Sequence, residues 1–306
     1  MKKYIRVQKA TAQSKIRDLK ARGEIDSGFR IYSDESYVYV PVKDSYDGPF
    51  IFRNEDEAVK KETVSGSFDV VGSIAITKND DPDFAEKILK TINSIKSVYY
   101  DSGVTGKERI RSLRLLAGSE NTVTLYRENG CVFKVDVAHA YFSPRLATER
   151  MRLSDEISDG EFVIDMFSGI GTISIEIAKK RKAEIVSMDI NPAAIDLLKE
   201  NTGLNRLKGH ITPQCGDSRL LISSYKNVDR VIMNNPTGSS QFIDSAVNSL
   251  KNGGIINYYE IASPGEIENR IKSFKTYGLS PSYMRKVHGY SSASFLYSVS
   301  FILVNP

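Results

Sequence analysis

The stretch that decides the fold is residues 161–192, EFVIDMFSGIGTISIEIAKKRKAEIVSMDINP. A short apolar run leads into a turn with two glycines, Gly169 and Gly171, and a segment with helix-like spacing of apolar residues follows. A second apolar run then ends on Asp189. Strand, glycine loop, helix, strand and terminal acid in this order are typical of the first half of a dinucleotide-type α/β unit.

The residues around the glycine turn favour one ligand class. Glycines there let the backbone approach a ligand closely, and an acid such as Asp189 can accept hydrogen bonds from both ribose hydroxyls. Ser174 stands where a phosphate-binding fingerprint has its third glycine. Asp165, just before the turn, repels a pyrophosphate but suits the ammonium group of S-adenosylmethionine. We therefore expect S-adenosylmethionine rather than a nicotinamide dinucleotide; the alternative is an ordinary α/β crossover whose glycines serve packing.

Length and composition narrow the class of protein. A chain of 306 residues predicts two or three domains, and 41% hydrophobic content suits a globular protein. No run of 18 apolar residues occurs, and the opening MKKYIRVQKA lacks the apolar core of a signal peptide. Two cysteines form neither a disulfide framework nor a zinc pattern. We expect a cytoplasmic monomer with no membrane contact and no metal.

Four segments are predicted along the chain. Residues 1–53 form a small α+β module with a strand at 3–7, a helix at 11–22 capped by Thr11, and strands at 29–32 and 37–42. Residues 54–65 are a polar linker, 66–153 a second α+β region, and 154–306 the dinucleotide-type domain. Residues 1–30 carry nine Lys or Arg against three acids. This excess fits either a phosphate-binding surface or a solvated basic face.

The second α+β region carries a basic cluster and a short helix. A strand is predicted across 68–76, and Asn129-Gly130 is predicted to turn a hairpin. The basic residues of the region are Lys107, Arg109, Arg111, Arg114 and Arg127. Pro144 can open a helix on which Arg145 and Glu149 lie four residues apart. From spacing alone, Arg145 and Glu149 are a helical ion pair.

Polar residues follow four predicted strands of the last domain. They are Asp165, Asp189, Asp217 and Asn234. Ligands of open α/β sheets bind at the carboxyl ends of strands, so these groups predict one cofactor site. Asp189 would bind the ribose and Asp217 the adenine amino group, with Asn234 beside the methyl group. The Asn-x-Pro turn at 234–236 is similar to the Asn-Pro-Pro-aromatic turn of nitrogen methyltransferases, although Thr237 replaces the aromatic residue.

Nearly end to end, the chain resembles the archaeal–eukaryotic tRNA (guanine-37-N1)-methyltransferases. The motifs that carry this resemblance include ENGCVFKVD at 128–136, YFSPRLATER at 141–150, DMFSGIG at 165–171, DINP at 189–192 and MNNP at 233–236. The resemblance implies a Rossmann-like class I methyltransferase domain preceded by two small α+β domains. It also implies tRNA as a partner, contacted at the anticodon stem-loop and, by residues 1–53, at the outer corner.

The resemblance also implies roles for individual residues. Glu149 would be the general base, Arg109 would steady the guanine oxygen, and Pro236 would shape the base pocket. Cofactor contacts would come from eight residues. Two of them, Gly169 and Gly171, are assigned by the pattern of the glycine turn itself rather than by the resemblance. The other members of that group are Arg150, Asp189, Ile190, Asp217, Ser218 and Asn234. Asn235 departs from the family, which commonly has leucine at this position.

The chemistry agrees with these roles and leaves three alternatives. Guanine N1 carries a proton at neutral pH, so a base must remove it as the methyl group transfers. The first alternative is the aminocarboxypropyl transferase of the wybutosine pathway, expected to lack the Asn-x-Pro turn. The second is a nicotinamide-dependent oxidoreductase, against which Asp165 and Ser174 argue. The third is a non-catalytic RNA-binding module, against which the intact acids argue.

Overall fold

The computed structural model describes residues 1–53 and 64–304. All but the last two residues of the predicted linker, 54–65, lie outside the described residues. Contacts divide the chain into two compact units, Met1–Gly66 and Ser67–Pro306. Each unit is described below by itself.

The leading unit is a four-stranded sheet covered by one helix. The strands are β1 (Lys2–Gln8), β2 (Tyr32–Ser33), β3 (Tyr37–Pro41) and β4 (Ile51–Arg53), in the order β2-β3-β1-β4, and the helix is α1 (Lys9–Ala21). Leu19 of α1 packs with Ile5 and Val40 of the sheet. The predicted cap at Thr11 is wrong: α1 begins two residues earlier, after Gln8, and the Thr11 hydroxyl donates to the Gln8 carbonyl at 3.3 Å.

The second unit begins with an α+β region. It contains β5 (Phe68–Val71), β6 (Ile74–Thr77), α2 (Pro82–Thr91), β7 (Ser97–Thr105), β8 (Ile110–Gly118), β9 (Val123–Glu128) and β10 (Cys131–Asp136). β5 to β8 form one sheet in chain order, and β9 pairs with β10. The predicted single strand at 68–76 is a hairpin instead. Gly72 turns it at φ +55°, where a Cβ would lie 2.3 Å from the Leu125 carbonyl oxygen. The predicted Asn129-Gly130 turn has φ +47° and +75°, as a type I′ hairpin requires.

A helix joins this region to the large sheet. A 3₁₀ turn at Pro144–Leu146 leads into α3 (Ala147–Glu156), which packs on α4 (Thr172–Lys180). The helix α3 therefore runs across the predicted boundary between residues 153 and 154. One hydrophobic core also extends from Val71 through Phe133 to Ile232, so that boundary stays a prediction.

The large sheet has seven strands. They are β11 (Phe162–Asp165), β12 (Glu184–Asp189), β13 (His210–Cys215), β14 (Val228–Met233), β15 (Leu250–Ala262), β16 (Leu279–Gly289) and β17 (Phe295–Leu303). Their order is β13-β12-β11-β14-β15-β17-β16; β11 to β15 are parallel, and β17 runs antiparallel between β15 and β16. The further helices are α5 (Pro192–Gly203), α6 (Ser218–Leu221), α7 (Ile243–Ser249) and α8 (Pro264–Phe274).

The strand order positions the site. From β11 the chain runs outward to β12 and β13, and it then returns to the other side of β11 as β14. The order therefore reverses between β11 and β14, and a crevice for ligands forms outside the carboxyl ends of these strands.

Candidate active site

A cavity of about 1010 Å³ lies within the second unit, at the carboxyl ends of β11 to β14. Nine of the eleven predicted site residues line it. They are Arg109, Arg150, Gly169, Asp189, Ile190, Asp217, Ser218, Asn234 and Pro236. Glu149 and Gly171 are not lining residues. The cavity therefore brings three of the four strand-end polar groups, Asp189, Asp217 and Asn234, together with the Asn-x-Pro turn.

Asp189, at the end of β12, is fixed by backbone donors. Its Oδ2 accepts from the Gly169 N–H at 2.7 Å and its Oδ1 from the Asn191 N–H at 2.9 Å. Burial raises the pKa of Asp189 above its usual range, although these N–H groups oppose the shift. Asn191 caps α5 through its side chain, which accepts from the Ala193 N–H at 3.0 Å. The acid is thus held in one orientation at the cavity wall.

The two glycines of the turn have different functions. Gly169 has φ +54°, and a Cβ added there would meet only the Tyr141 carbonyl oxygen at 3.8 Å. Its cavity side is open to a ligand. Gly171 has φ +87°, and its Cβ would lie 1.9 Å from the Leu198 Cδ1 atom. Gly171 therefore lets α4 pack against α5, and the structure does not place it at the cavity.

Asp165 does not face the cavity, contrary to the direct ammonium contact expected from the sequence. Its side chain is 0% exposed, and burial raises its pKa to about 7. The Ser174 hydroxyl donates to Asp165 Oδ2 at 2.9 Å, and the Ser187 hydroxyl donates to Ser174 Oγ at 2.8 Å. The serine at the position of the third glycine of the fingerprint thus donates a hydrogen bond to this buried acid.

At the end of β13, Asp217 caps the short helix α6. Its carboxylate accepts from the Arg219 N–H at 3.0 Å and from the Arg219 guanidinium at 2.6 Å, and this hydrogen bond holds the pKa of Asp217 below its usual range. The next residue, Ser218, is buried. On the β12 side, Ile190 is 40% exposed and offers an apolar surface to the cavity.

The Asn-x-Pro turn after β14 is fixed on two sides. The Ser239 hydroxyl donates to the carbonyl oxygens of Met233 and Asn235, each at 2.9 Å. The Pro236 carbonyl accepts from the Ile261 N–H of β15, also at 2.9 Å. The turn is therefore a rigid wall of the cavity, and Asn235 contributes to it through its backbone.

Arg109 reaches this turn from the connection between β7 and β8. Its Nη1 donates to the Thr237 Oγ1 at 2.6 Å, and its guanidinium lies 5.1 Å from the centroid of the Tyr141 ring. The side chain thereby spans the cavity from the α+β region to the large sheet.

Glu149, on the first turn of α3, is buried and does not line the cavity. Its side chain is 4% exposed. Its carboxylate accepts from Arg152 Nη2 at 2.6 Å and from the Tyr259 hydroxyl at 2.9 Å. The ion pair with Arg145 suggested by spacing is wrong, because Arg145 lies in the 3₁₀ turn and pairs with Asp69 at 2.8 Å.

Arg150 is held by partners that sequence reasoning missed. Its guanidinium donates to both oxygens of Glu128, through Nη2 at 2.6 Å, and to the Ser143 carbonyl at 3.1 Å. Glu176 lies 4.0 Å away, and burial, together with the charge of Glu128, raises its pKa to about 7. The only sequence signal for this cluster was the position of Glu128 at the start of the ENG motif.

Two further features of the described residues concern ligands and membranes. Within ranges 1–53 and 64–304, His, Cys, Asp and Glu side chains form no group of three or more that could hold a metal ion. No helix in these ranges is long and apolar enough to cross a membrane.

The sheet order, with an antiparallel strand inserted next to the last position and an acid at the end of β12, defines a class I S-adenosylmethionine-dependent methyltransferase fold. The model of the TRM5/TYW2 methyltransferase domain matches residues 124–283, and that of the tRNA methyltransferase 5 N-terminal domain matches residues 5–51. The chain belongs to the TRM5/TYW2 methyltransferase family.

Individual relatives agree with this membership. The tRNA (guanine(37)-N(1))-methyltransferase Trm5b of Pyrococcus abyssi is 37% identical over 80% of this chain and 79% of its own. A solved complex of aTrm5 with tRNALeu has a TM-score of 0.74 at 30% identity, covering both chains fully. The Methanocaldococcus jannaschii Trm5 structure in complex with adenosine has a TM-score of 0.70 at 30% identity and covers 99% of this chain and 100% of the other.

The cavity residues fit S-adenosylmethionine. Asp189 presents a fixed carboxylate for a ribose, and Gly169 leaves the backbone open beside it. The Ser168 hydroxyl, in the same turn, is buried at the cavity and has no hydrogen-bond partner among the described residues. An unpartnered buried hydroxyl is costly unless a ligand satisfies it.

Proposed function

We propose that this protein transfers a methyl group from S-adenosylmethionine to N1 of guanosine 37 in tRNA, 3′ of the anticodon. The observation that carries the proposal is that Asp189, Asp217 and the Asn234–Pro236 turn line one cavity, with Arg109 reaching that turn. A cofactor pocket and a pocket for a planar base are thereby continuous, as direct transfer between two ligands requires.

The cofactor is assigned to the β11–β13 side of the cavity. Asp189 binds the ribose, and Ile190 with Asp217 and Ser218 borders the adenine. Gly169, Arg150 and Asn234 line the space that remains for the methionine part. When bound, S-adenosylmethionine supplies an electrophilic methyl group on its sulfonium.

The target guanine is assigned to the side formed by the Asn-x-Pro turn and Arg109. Removing the N1 proton develops negative charge on the guanine O6 atom. A guanidinium fixed near O6 stabilises that charge more in the transition state than in the ground state. Pro236, whose turn is held by Ser239 and β15, sets the wall against which the base lies.

Glu149 is the proposed general base. Its neighbour Arg150 lines the cavity, whereas the Glu149 carboxylate is bound by Arg152 and Tyr259. Accepting the N1 proton therefore requires a side-chain rotation that breaks the Tyr259 hydrogen bond and turns the carboxylate toward the cavity. Catalytic side chains often reach their working geometry only when the substrate is bound.

The partner is tRNA, and the leading unit is assigned to its outer corner. Basic groups lie over aromatic rings in this unit: Lys3 is 4.5 Å from the Phe50 centroid and Arg6 is 4.6 Å from that of Tyr37. Phe52 is also exposed. Basic and aromatic side chains together suit phosphate and base contacts. The cavity in the second unit is assigned to the anticodon stem-loop.

The other reactions considered are less consistent with the site. The matched family model covers TYW2 as well as TRM5, so aminocarboxypropyl transfer is the second candidate. Aminocarboxypropyl transfer, however, does not account for a rigid Asn-x-Pro turn beside which an arginine is bound. A dinucleotide oxidoreductase would need the third glycine, whose position Ser174 occupies to satisfy Asp165.

The proposal is tested with two transcripts that differ only at position 37. A tRNA transcript with guanosine 37 and the same transcript with adenosine 37 are incubated with the protein and methyl-labelled S-adenosylmethionine. Label in the guanosine transcript alone is expected. Equal labelling of both transcripts would contradict methylation at this position.

A further inference from the structure

The backbone of Arg109 adopts a conformation that arginine rarely takes. Its φ is +55°, in the left-handed region that favours glycine, and its N–H donates to the Gly106 carbonyl at 3.3 Å to close the turn. A side chain other than that of glycine or asparagine is disfavoured there. The presence of arginine in this position therefore points to a requirement for its side chain.

The contacts of that side chain identify the requirement. The Arg109 guanidinium donates to a hydroxyl 128 residues away in the sequence, on Thr237 directly after the Asn-x-Pro turn, at 2.6 Å. The acceptor itself is fixed, because the turn is bound to Ser239 and to β15. The turn between β7 and β8 is thus bonded to a wall of the cavity that is fixed on two sides.

A second contact supports the same placement. The Tyr141 ring lies 5.1 Å from the guanidinium of Arg109 and equally far from that of Arg111. Arg111 is held by Asp101 and by the Phe142 carbonyl, to which its Nη2 donates at 3.0 Å. Arg109 thus lies between an aromatic ring and one hydroxyl.

We propose that Thr237 is a positioning residue, whose hydroxyl holds the Arg109 guanidinium at the target-base pocket. The inference rests on the proposed function, since it assigns the seated guanidinium to the guanine O6 atom. A guanidinium has five N–H donors, and among the described residues only Thr237 accepts a hydrogen bond from that of Arg109, so the remaining donors are available to the base. An aromatic residue at position 237 would offer no aliphatic hydroxyl at this place. Thr237, which replaces the aromatic residue of the Asn-Pro-Pro-aromatic turn, thereby has a function of its own.

The hydrogen bond from Arg109 to Thr237 is expected to affect the rate of methyl transfer much more than the affinity for either ligand. Without this hydrogen bond the Arg109 side chain samples many rotamers. Ordering it then adds to the free energy needed to stabilise the charge that develops on O6. Losing one hydrogen bond of ordinary strength corresponds to about a 3–10-fold slower methyl transfer. The cofactor residues are unaffected, so binding of S-adenosylmethionine stays as in the wild type.

The test is a double-mutant cycle in the full-length protein. Single-turnover methylation of an unmodified tRNA transcript is measured for wild type, Thr237→Val, Arg109→Ala and the double variant, with dissociation constants for tRNA and S-adenosylmethionine. Thr237→Ser is the matched control, because it keeps the hydroxyl and removes only the methyl group. Thermal unfolding of each variant shows whether the fold is intact.

The predicted pattern is specific. Thr237→Val slows transfer by about 3–10-fold with both dissociation constants unchanged, Thr237→Ser restores the wild-type rate, and the double variant is no slower than Arg109→Ala. If the two rate effects multiply in the double variant, or if Thr237→Val methylates at the wild-type rate, Thr237 does not position Arg109. The proposed function would still stand in that case, provided that the wild type forms N1-methylguanosine. A wild type that forms no N1-methylguanosine overturns both.

Discussion

Changing Glu149→Gln separates general-base catalysis from structure. The substitution keeps the size of the side chain and one acceptor oxygen but removes the negative charge. In the structure the carboxylate accepts from Arg152 Nη2 at 2.6 Å, from Arg152 Nε at 3.1 Å and from the Tyr259 hydroxyl at 2.9 Å. Arg285 lies 3.5 Å away. The variant must therefore affect stability as well as rate.

The size of each effect follows from these contacts. Breaking a buried ion pair costs about 3–5 kcal/mol when the remaining charge is left without a partner. Arg152 keeps a second partner in Glu156 and is 17% exposed, so we expect a loss of about 1–3 kcal/mol. This loss leaves a domain of ordinary stability folded. Without its base, methyl transfer should slow by about 10²–10⁴-fold.

The assay compares Glu149→Gln with Glu156→Gln. Both variants remove a carboxylate that pairs with Arg152, but Glu156 is more exposed and lies at the end of α3. Single-turnover methylation of a tRNA transcript is measured for each, beside chemical denaturation, because product release can limit steady-state turnover. A wild-type single-turnover rate in Glu149→Gln, or equal slowing in Glu156→Gln, would refute Glu149 as the base and leave it a structural partner of Arg152.

Four further outcomes are expected. Burial raises the pKa of Asp165 to about 7, so the contribution of this acid to stability is complete below the unfolded pKa near ~4 and is lost as the pH rises through about 7. Between pH 5 and pH 8 this loss is about 3 kcal/mol at most, and Asp165→Asn should remove it from denaturation measured at these two pH values. Gly171→Ala should lower the free energy of unfolding by about 1–3 kcal/mol, because its Cβ would overlap Leu198. Gly169→Ala meets no close neighbour but sits at φ +54°, so it should lower the free energy of unfolding by about 1–2 kcal/mol and should also weaken S-adenosylmethionine binding in calorimetry. A chain starting at Ser65 should bind S-adenosylmethionine normally and tRNA weakly in filter binding; equal tRNA affinity would contradict the assignment of the leading unit.

The elements of the methyltransferase domain were predictable because their signals are local. The two apolar runs and the glycine turn at 161–192 correspond to β11, α4 and β12. Asn191 and Pro192 begin α5 as predicted, and Asn129-Gly130 turns its hairpin. In each case the deciding residues lie within a few positions of one another, so spacing alone carries the information.

Other features were not visible in spacing because they depend on contacts between distant residues. The Glu149–Tyr259 hydrogen bond joins residues 110 positions apart, and the Arg109–Thr237 bond joins residues 128 apart. Ser174 read as a missing glycine because its partner Asp165 becomes fully buried only when the sheet is assembled. Burial and long-range pairing decide these roles, and neither has a local sequence signature.

The shared cavity is proposed to direct a methyl group to N1 of guanosine 37. The most direct measurement incubates wild-type protein with an unmodified tRNA transcript and S-adenosylmethionine, and then identifies the modified nucleoside and its position by mass spectrometry. N1-methylguanosine is expected at position 37 and at no other guanosine. N2-methylguanosine, an aminocarboxypropyl adduct or modification elsewhere in the transcript would contradict it.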